Sequence, residues 1–155
     1  MRRLWLSLVF SFALITWLGQ AQTEPTQPQP KLPTISLAVG EKTLTTEVAD
    51  DEPERETGMM FRKAMADGTA MLFVLEAPQH AAFWMRNTLI PLSVAYLNAS
   101  GMILEIHDLK PKDETPVNSQ FDTIAYAIEV PQGWFAKNGI LPGVLVKGLP
   151  PLTGK

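Results

Sequence analysis

The 155-residue chain contains no cysteine, which removes disulfide staples, thiolate metal sites and cysteine nucleophiles from consideration. Histidine is almost as scarce. His80 and His107 are far apart, and no H-E-x-x-H or other paired-ligand spacing exists, so nothing points to a zinc hydrolase centre. There is no G-x-S-x-G, no S-x-x-K and no phosphate-cradling glycine loop. A basic excess is missing too: 13 Lys and Arg stand against 16 Asp and Glu, a net charge of -3. Nucleic acid is therefore not an expected partner. No internal repeat is found, and with 46% apolar residues the chain is long enough for one core and too short for two.

What is present begins with an address label. Arg2 and Arg3 precede an apolar run from Leu4 to Leu18, and Gly19-Gln20-Ala21 offers the small residues that a signal peptidase needs. Residues 1–21 read as a secretory signal peptide cleaved after Ala21, which predicts a periplasmic or secreted protein. A retained anchor is the alternative, but the run is shorter than the roughly 20 residues that span a bilayer, so no stable membrane span is expected after cleavage. No cysteine follows the run to carry a lipid. Residues 22–33 are rich in Pro and Gln, with Pro25, Pro28, Pro30 and Pro33, and read as an extended, solvated linker. A single domain is expected over residues 34–155.

Within it, Thr34 to Val39 alternates apolar and polar residues, Gly40-Glu41 permits a turn, and Thr43 to Val48 resumes the pattern: a hairpin. Asp50-Asp51-Glu52-Pro53-Glu54 carries the marks of a helix start, and Gly58 stops that helix early. Strands are then predicted over 69–76, 81–86, 92–98, 102–109, 124–130 and 144–149, each bounded by Pro, Gly, Asn or Asp, with room for one more helical turn between Pro131 and Asn138. The pattern predicts a mainly β domain, an antiparallel barrel or sandwich with one or two short helices and no parallel sheet.

Few residues look able to carry chemistry. In Phe83-Trp84-Met85-Arg86-Asn87-Thr88, Arg86 can stack on Trp84 and still hold a carboxylate, although an aromatic core strand is the plainer reading. Glu129 shares a strand face with Ala125 and Ala127, and Ile124, Tyr126, Ile128 and Val130 share the other. A carboxylate there must be exposed or paired, and Arg62, Arg86 and Lys147 are the available partners. The methionines at 59, 60, 65, 71, 85 and 102 could bind Cu(I), though methionine more often fills core gaps. Asp108, Asp113, Glu114 and Asp122 look solvated.

Gly58-Met-Met-Phe-Arg62, Ala70-Met-Leu-Phe-Val74, Trp84-Met-Arg-Asn-Thr88 with Pro91-Leu92, and Ile128-Glu129 leading to Gly133 occur in that order. Over about Leu37 to Leu149 the chain resembles the prokaryotic domain of unknown function 192 family. The resemblance implies a compact, mainly β, often exported domain with no assigned reaction. Two departures matter. Members often carry Asp after Pro-Leu, where this chain has Ser93, and some carry a His-Cys pair where this chain reads Pro116-Val-Asn-Ser119.

The sequence favours a cofactor-free, metal-free monomer that binds a small molecule or envelope partner rather than turning one over. Its ligand-binding residues would be Arg62, Trp84, Arg86, Asn87, Thr88 and Glu129, with the arginines holding an anion and Glu129 orienting one of them. The alternatives are an envelope hydrolase using Glu129 as acid or base, and a Cu(I)-binding protein.

Overall fold

The hairpin forms as its alternation requires. β1 (Thr34–Val39) and β2 (Lys42–Ala49) pair antiparallel about Gly40-Glu41, setting the buried Leu37 opposite the buried Leu44. The computed structural model describes residues 24–152, so the leader read over 1–21 lies outside the described residues. The Pro-rich stretch ahead of β1 is not simply solvated. Leu32 is buried, its N–H donates to Glu47 Oε2 at 2.8 Å, and Gln29 Nε2 donates to Gly58 O at 2.9 Å and Glu54 O at 3.2 Å.

α1 (Glu52–Thr57) starts where the acids and Pro53 predict. Asp51 accepts from Glu54 N at 2.8 Å, while the Glu54 carboxylate accepts from Asp51 N, a reciprocal cap. Gly58 ends it at φ 46°, ψ −126°, and a Cβ there would press on the Phe73 ring at 3.2 Å. Glycine is what the turn requires.

β3 (Thr69–Gln79) follows, and here expectation and structure part. β3 runs parallel to β2, with Thr45 opposite Thr69 and Ala49 opposite Phe73. The intervening stretch 50–68 contains α1 and exceeds the dozen or so residues that a parallel crossover needs. β4 (Ala82–Phe83) is shorter than the strand predicted over 81–86, because Thr88 N already turns back to Met85 O at 3.0 Å. β5 (Leu92–Asn98), β6 (Ile103–Leu109) and β8 (Ile124–Pro131) match their predicted spans closely. β7 (Val117–Asn118) pairs only with β4, α2 (Trp134–Lys137) fills the space after Pro131, and β9 (Val146–Lys147) is all that forms within 144–149.

Seven strands form one curled sheet in the order β6-β5-β8-β3-β2-β1-β9, a half-barrel, with β4 and β7 as a small second sheet. Apart from the β2–β3 pair, every contact between strands is antiparallel. At one corner the sheet's two edges meet. Ile103 N donates to Val144 O at 2.9 Å, Gly143 N to Ile103 O at 2.8 Å and Val146 N to Gly101 O at 2.8 Å.

Both faces of the sheet are buried. One carries Leu37, Leu72, Ile128 and Val130 against Trp134 and Phe135 of α2, and the other carries Met71, Phe73, Val94 and Tyr96 against Met59 and Met85. β8 is an interior strand, between β5 and β3, with Ile124 to Val130 all buried. Its alternation breaks once. Leu97 faces Tyr126 but Asn98 faces Ile124, so Ala125 is an extra residue. That bulge moves Ile124 from the expected Tyr126 face to the Met71 face and puts Ala125 among Tyr126's neighbours.

Gly101 (φ +82°) carries the sheet corner. A Cβ there would stand 2.6 Å from Val146 O and 2.9 Å from Leu149 Cδ1. Gly101→Ala should lower stability by roughly 2–4 kcal/mol, from backbone strain and lost corner bonds together. A urea midpoint equal to wild type would show that the corner gives way freely.

Candidate functional site

Glu129 is set in the middle of β8, between Met71 of β3 and Val94 of β5, with their side chains on the same face. It is 4% exposed. The predicted arginine is not there. Arg62 gives both guanidinium nitrogens to Glu47, at 2.6 and 2.8 Å, and Arg86 pairs with Glu24 at 3.1 Å. Glu129 Oε2 is buried and has no hydrogen-bond partner among the described residues. Burial alone pushes this carboxyl up to about 8, so near neutrality it holds its proton.

The residue borders open space even though Oε2 itself is buried. Glu129 lines a cleft of about 260 Å³ together with Phe73 and Leu75 from the sheet and Ala82, Phe83 and Trp84 from around β4. The opposite wall is the end of α1 and the turn after it, Arg55 to Met60, with Thr88 beside them. Phe83 stands edge-on to Phe73 at 4.9 Å, and Trp84 is 45% exposed at the side. Arg55 touches the cleft but is already engaged, donating to Asp50 O at 2.6 Å, Val74 O at 3.2 Å and Glu76 Oε1 at 3.2 Å.

Of the six residues singled out in the sequence, Trp84, Thr88 and Glu129 meet at this cleft. Arg86 lies behind them, its guanidinium carbon 5.7 Å from the Trp84 ring centroid, the stacking that the sequence suggested. Asn87 serves the backbone. At φ 54° it makes the turn that brings Thr88 round, and its carbonyl accepts from Phe61 N, itself at φ 61°, at 2.8 Å. Arg62 borders a separate, smaller hollow of about 190 Å³ with Glu47 and Lys31. Burial pushes the Glu47 carboxyl up, but Arg62 and the Leu32 N–H outweigh it and hold the group below its ordinary value. This pair ties β2 to the stretch after α1 and to the segment ahead of β1.

Sequence reasoning passed over the walls: Phe83 read as part of an aromatic core strand, Met59 and Met60 as core filling, and Phe73 and Arg55 received no role. It also passed over Tyr96, whose hydroxyl donates to Val117 O at 2.6 Å. Burial first, then the charges of Glu129 and Glu105, push that phenol well above its usual range. Ser93 turns away from the cleft. Its Oγ donates to Asp108 at 2.5 Å and accepts from Gly133 N at 2.9 Å, on the α2 side of the sheet. The methionine series is dispersed: Met59, Met71 and Met85 are buried with the second core, Met65 packs at its margin, Met60 is buried and lines the cleft, and Met102 is exposed. Among the described residues no group of three or more His, Asp or Glu could hold a metal ion.

The motif that builds the cleft wall, Gly58 to Arg62, falls within residues 35–148, which match the profile of DUF192, described as "Uncharacterized ACR". The chain belongs to this family. A crystal structure of a protein of unknown function from Novosphingobium aromaticivorans DSM 12444 is 31% identical, with a TM-score of 0.72, covering 82% of this chain and 94% of its own. A second, labelled a "putative transcription regulator", from Sinorhizobium meliloti 1021, is 28% identical with a TM-score of 0.73, covering 77% and 96%. No curated protein matches the chain. In this DUF192 chain the Gly-Met-Met-Phe-Arg block thus has a physical account: a glycine stop, two buried thioethers, one left-handed residue and one salt bridge.

Two measurements test this account. Between about pH 4.5, the carboxyl's ordinary value, and about 8, the unfolded chain ionises Glu129 while the folded chain does not. Over that window burial therefore costs about 1.4 kcal/mol more per pH unit, and the cost levels off above it. Glu129→Gln, which mimics the protonated group, should gain stability relative to wild type as pH rises from 5 to 8. Urea midpoints that keep a constant difference across that range would show a solvated carboxylate. Arg62→Ala should cost about 2–4 kcal/mol by leaving the half-buried Glu47 without its partner, and a thermal midpoint unchanged from wild type would remove the pair from the fold's supports.

Proposed function

We propose that this protein is a cofactor-free binding protein of the cell envelope, acting as a monomer, that takes a small and largely apolar molecule into the cleft beside Glu129. The observation that carries the reading is an aromatic-walled cleft lined in part by Glu129, a buried carboxyl whose Oε2 has no partner among the described residues. An orphaned polar atom in a dry site costs stability and is satisfied when a ligand supplies its partner. A volume of about 260 Å³ suits a molecule at the small end of ligand size. The basic-then-apolar leader over residues 1–21 supports export to the periplasm, and among the described residues no helix is long and apolar enough to cross a membrane.

One observation favours a second reading. A carboxyl raised to about 8 suits a general acid, and Glu56 also lines the cleft, which is the frame of a carboxylate hydrolase. Binding is preferred because Glu56 is exposed, Ser93 faces the other side of the sheet, and the Thr88 hydroxyl is turned to Arg86 O at 3.3 Å. The regulator label of one relative finds no support in the net charge of -3.

Differential scanning fluorimetry against organic fragments of roughly ten heavy atoms tests the reading. Wild type should be stabilised by a subset of them. Ala82→Trp, which fills the cleft from its edge, should lose those shifts while keeping its own melting cooperative. A fragment set that stabilises neither protein, or both equally, overturns the proposal.

A further inference from the structure

We propose that the molecule taken up by this cleft is a cationic amine on a small apolar body, its ammonium N–H donating to the free oxygen of Glu129. The inference rests on the binding reading above and narrows it to one head-group chemistry.

Charge is the first argument. Arg55 is the cationic residue lining the cleft, and it is spent on two backbone carbonyls and Glu76. Arg62 and Arg86 are committed to Glu47 and Glu24. Glu129 therefore lacks a countercharge, and a ligand can bring one. A carboxylate ligand would find no free cation in the cleft and Glu56 beside it, a costly burial.

The walls argue the same way. Phe73 and Phe83 are electron-rich surfaces that attract an ammonium group, the more so out of water, while the Trp84 ring already has the Arg86 guanidinium 5.7 Å from its centroid. The groups packed around Glu129 offer no competing donor. Met71 and Val94 flank it on the sheet, and the Tyr96 hydroxyl donates to Val117 O. Behind Tyr96, His107 is bound to Glu105 at 2.9 Å, and across the cleft stand Arg55 and Glu56 of α1. Because the empty site holds a proton on Glu129, binding exchanges that proton for the ammonium: the carboxyl O–H bond breaks, the proton leaves to solvent and the N–H···O pair forms. Uptake should thus strengthen as pH rises toward 8.

The experiment is isothermal titration of the intact protein with phenethylamine, 2-phenylethanol and 3-phenylpropionate, at pH 6.5 and 8 and in two buffers of different ionisation enthalpy. The amine should bind about tenfold or more tightly than the alcohol, the margin of a charge-assisted hydrogen bond over a neutral one. The acid should not bind, and the amine should release a proton at pH 6.5. Glu129→Gln should abolish the preference for the amine over the alcohol. An alcohol that equals the amine, or a preference that survives Glu129→Gln, overturns the head-group assignment and leaves the cleft reading standing. If none of the three probes binds while other fragments stabilise the protein, the amine fails alone. If nothing stabilises it, both readings fall.

Discussion

Desolvation of one carboxyl group is the constraint around which this fold is arranged. Glu129 lies on β8, an interior strand flanked by β3 and β5, and lines a cleft walled by α1 and the segment around β4. At that depth an ionised carboxylate needs a partner, and the described residues supply none to Oε2. It stays neutral instead, with a raised affinity for its proton, and the sheet tolerates it on that condition. The nearby arginines fit the same logic. Each is neutralised by a glutamate of its own, so none is left over to satisfy the central one.

Two-sided burial explains much of the rest. A sheet covered on both faces needs a second layer on each side. α2 supplies one, with Trp134 and Phe135. The other is built from irregular backbone: the Gly58 stop, the left-handed Phe61 and Asn87 joined through one hydrogen bond, and the Leu32 segment pinned by Glu47. Loops pack less completely than helices or strands, so it is on this side that a cleft survives.

The strands of this fold were legible because their signals are local. Alternation and flanking turn residues locate β1, β2, β5, β6 and β8, and the capping residues Asp51 and Glu54 locate α1. The parallel β2–β3 pair was not legible, since it depends on where the chain returns after α1. Nor was the bulge at Ala125, which arises from a mismatch between three strands. At the site, Trp84, Thr88 and Glu129 stood out as polar or amphipathic residues in apolar company, and they converge. The pairing of Glu129 with an arginine was inferred from cost alone. Sequence could not reveal that Arg62 has a nearer carboxylate in Glu47, fifteen positions upstream yet 2.6 Å away in space.

The way Gln29 is held has a mechanical consequence. Its amide grips the carbonyls of Glu54 and Gly58, the second of which belongs to the cleft wall, and the next residues continue through Leu32 into β1. Tension applied to the chain ahead of Gln29 would reach that wall before it reached the sheet. Tethering the molecule by its N-terminal side is therefore not equivalent to tethering it elsewhere, because the point of attachment and the rim of the cleft share a handhold.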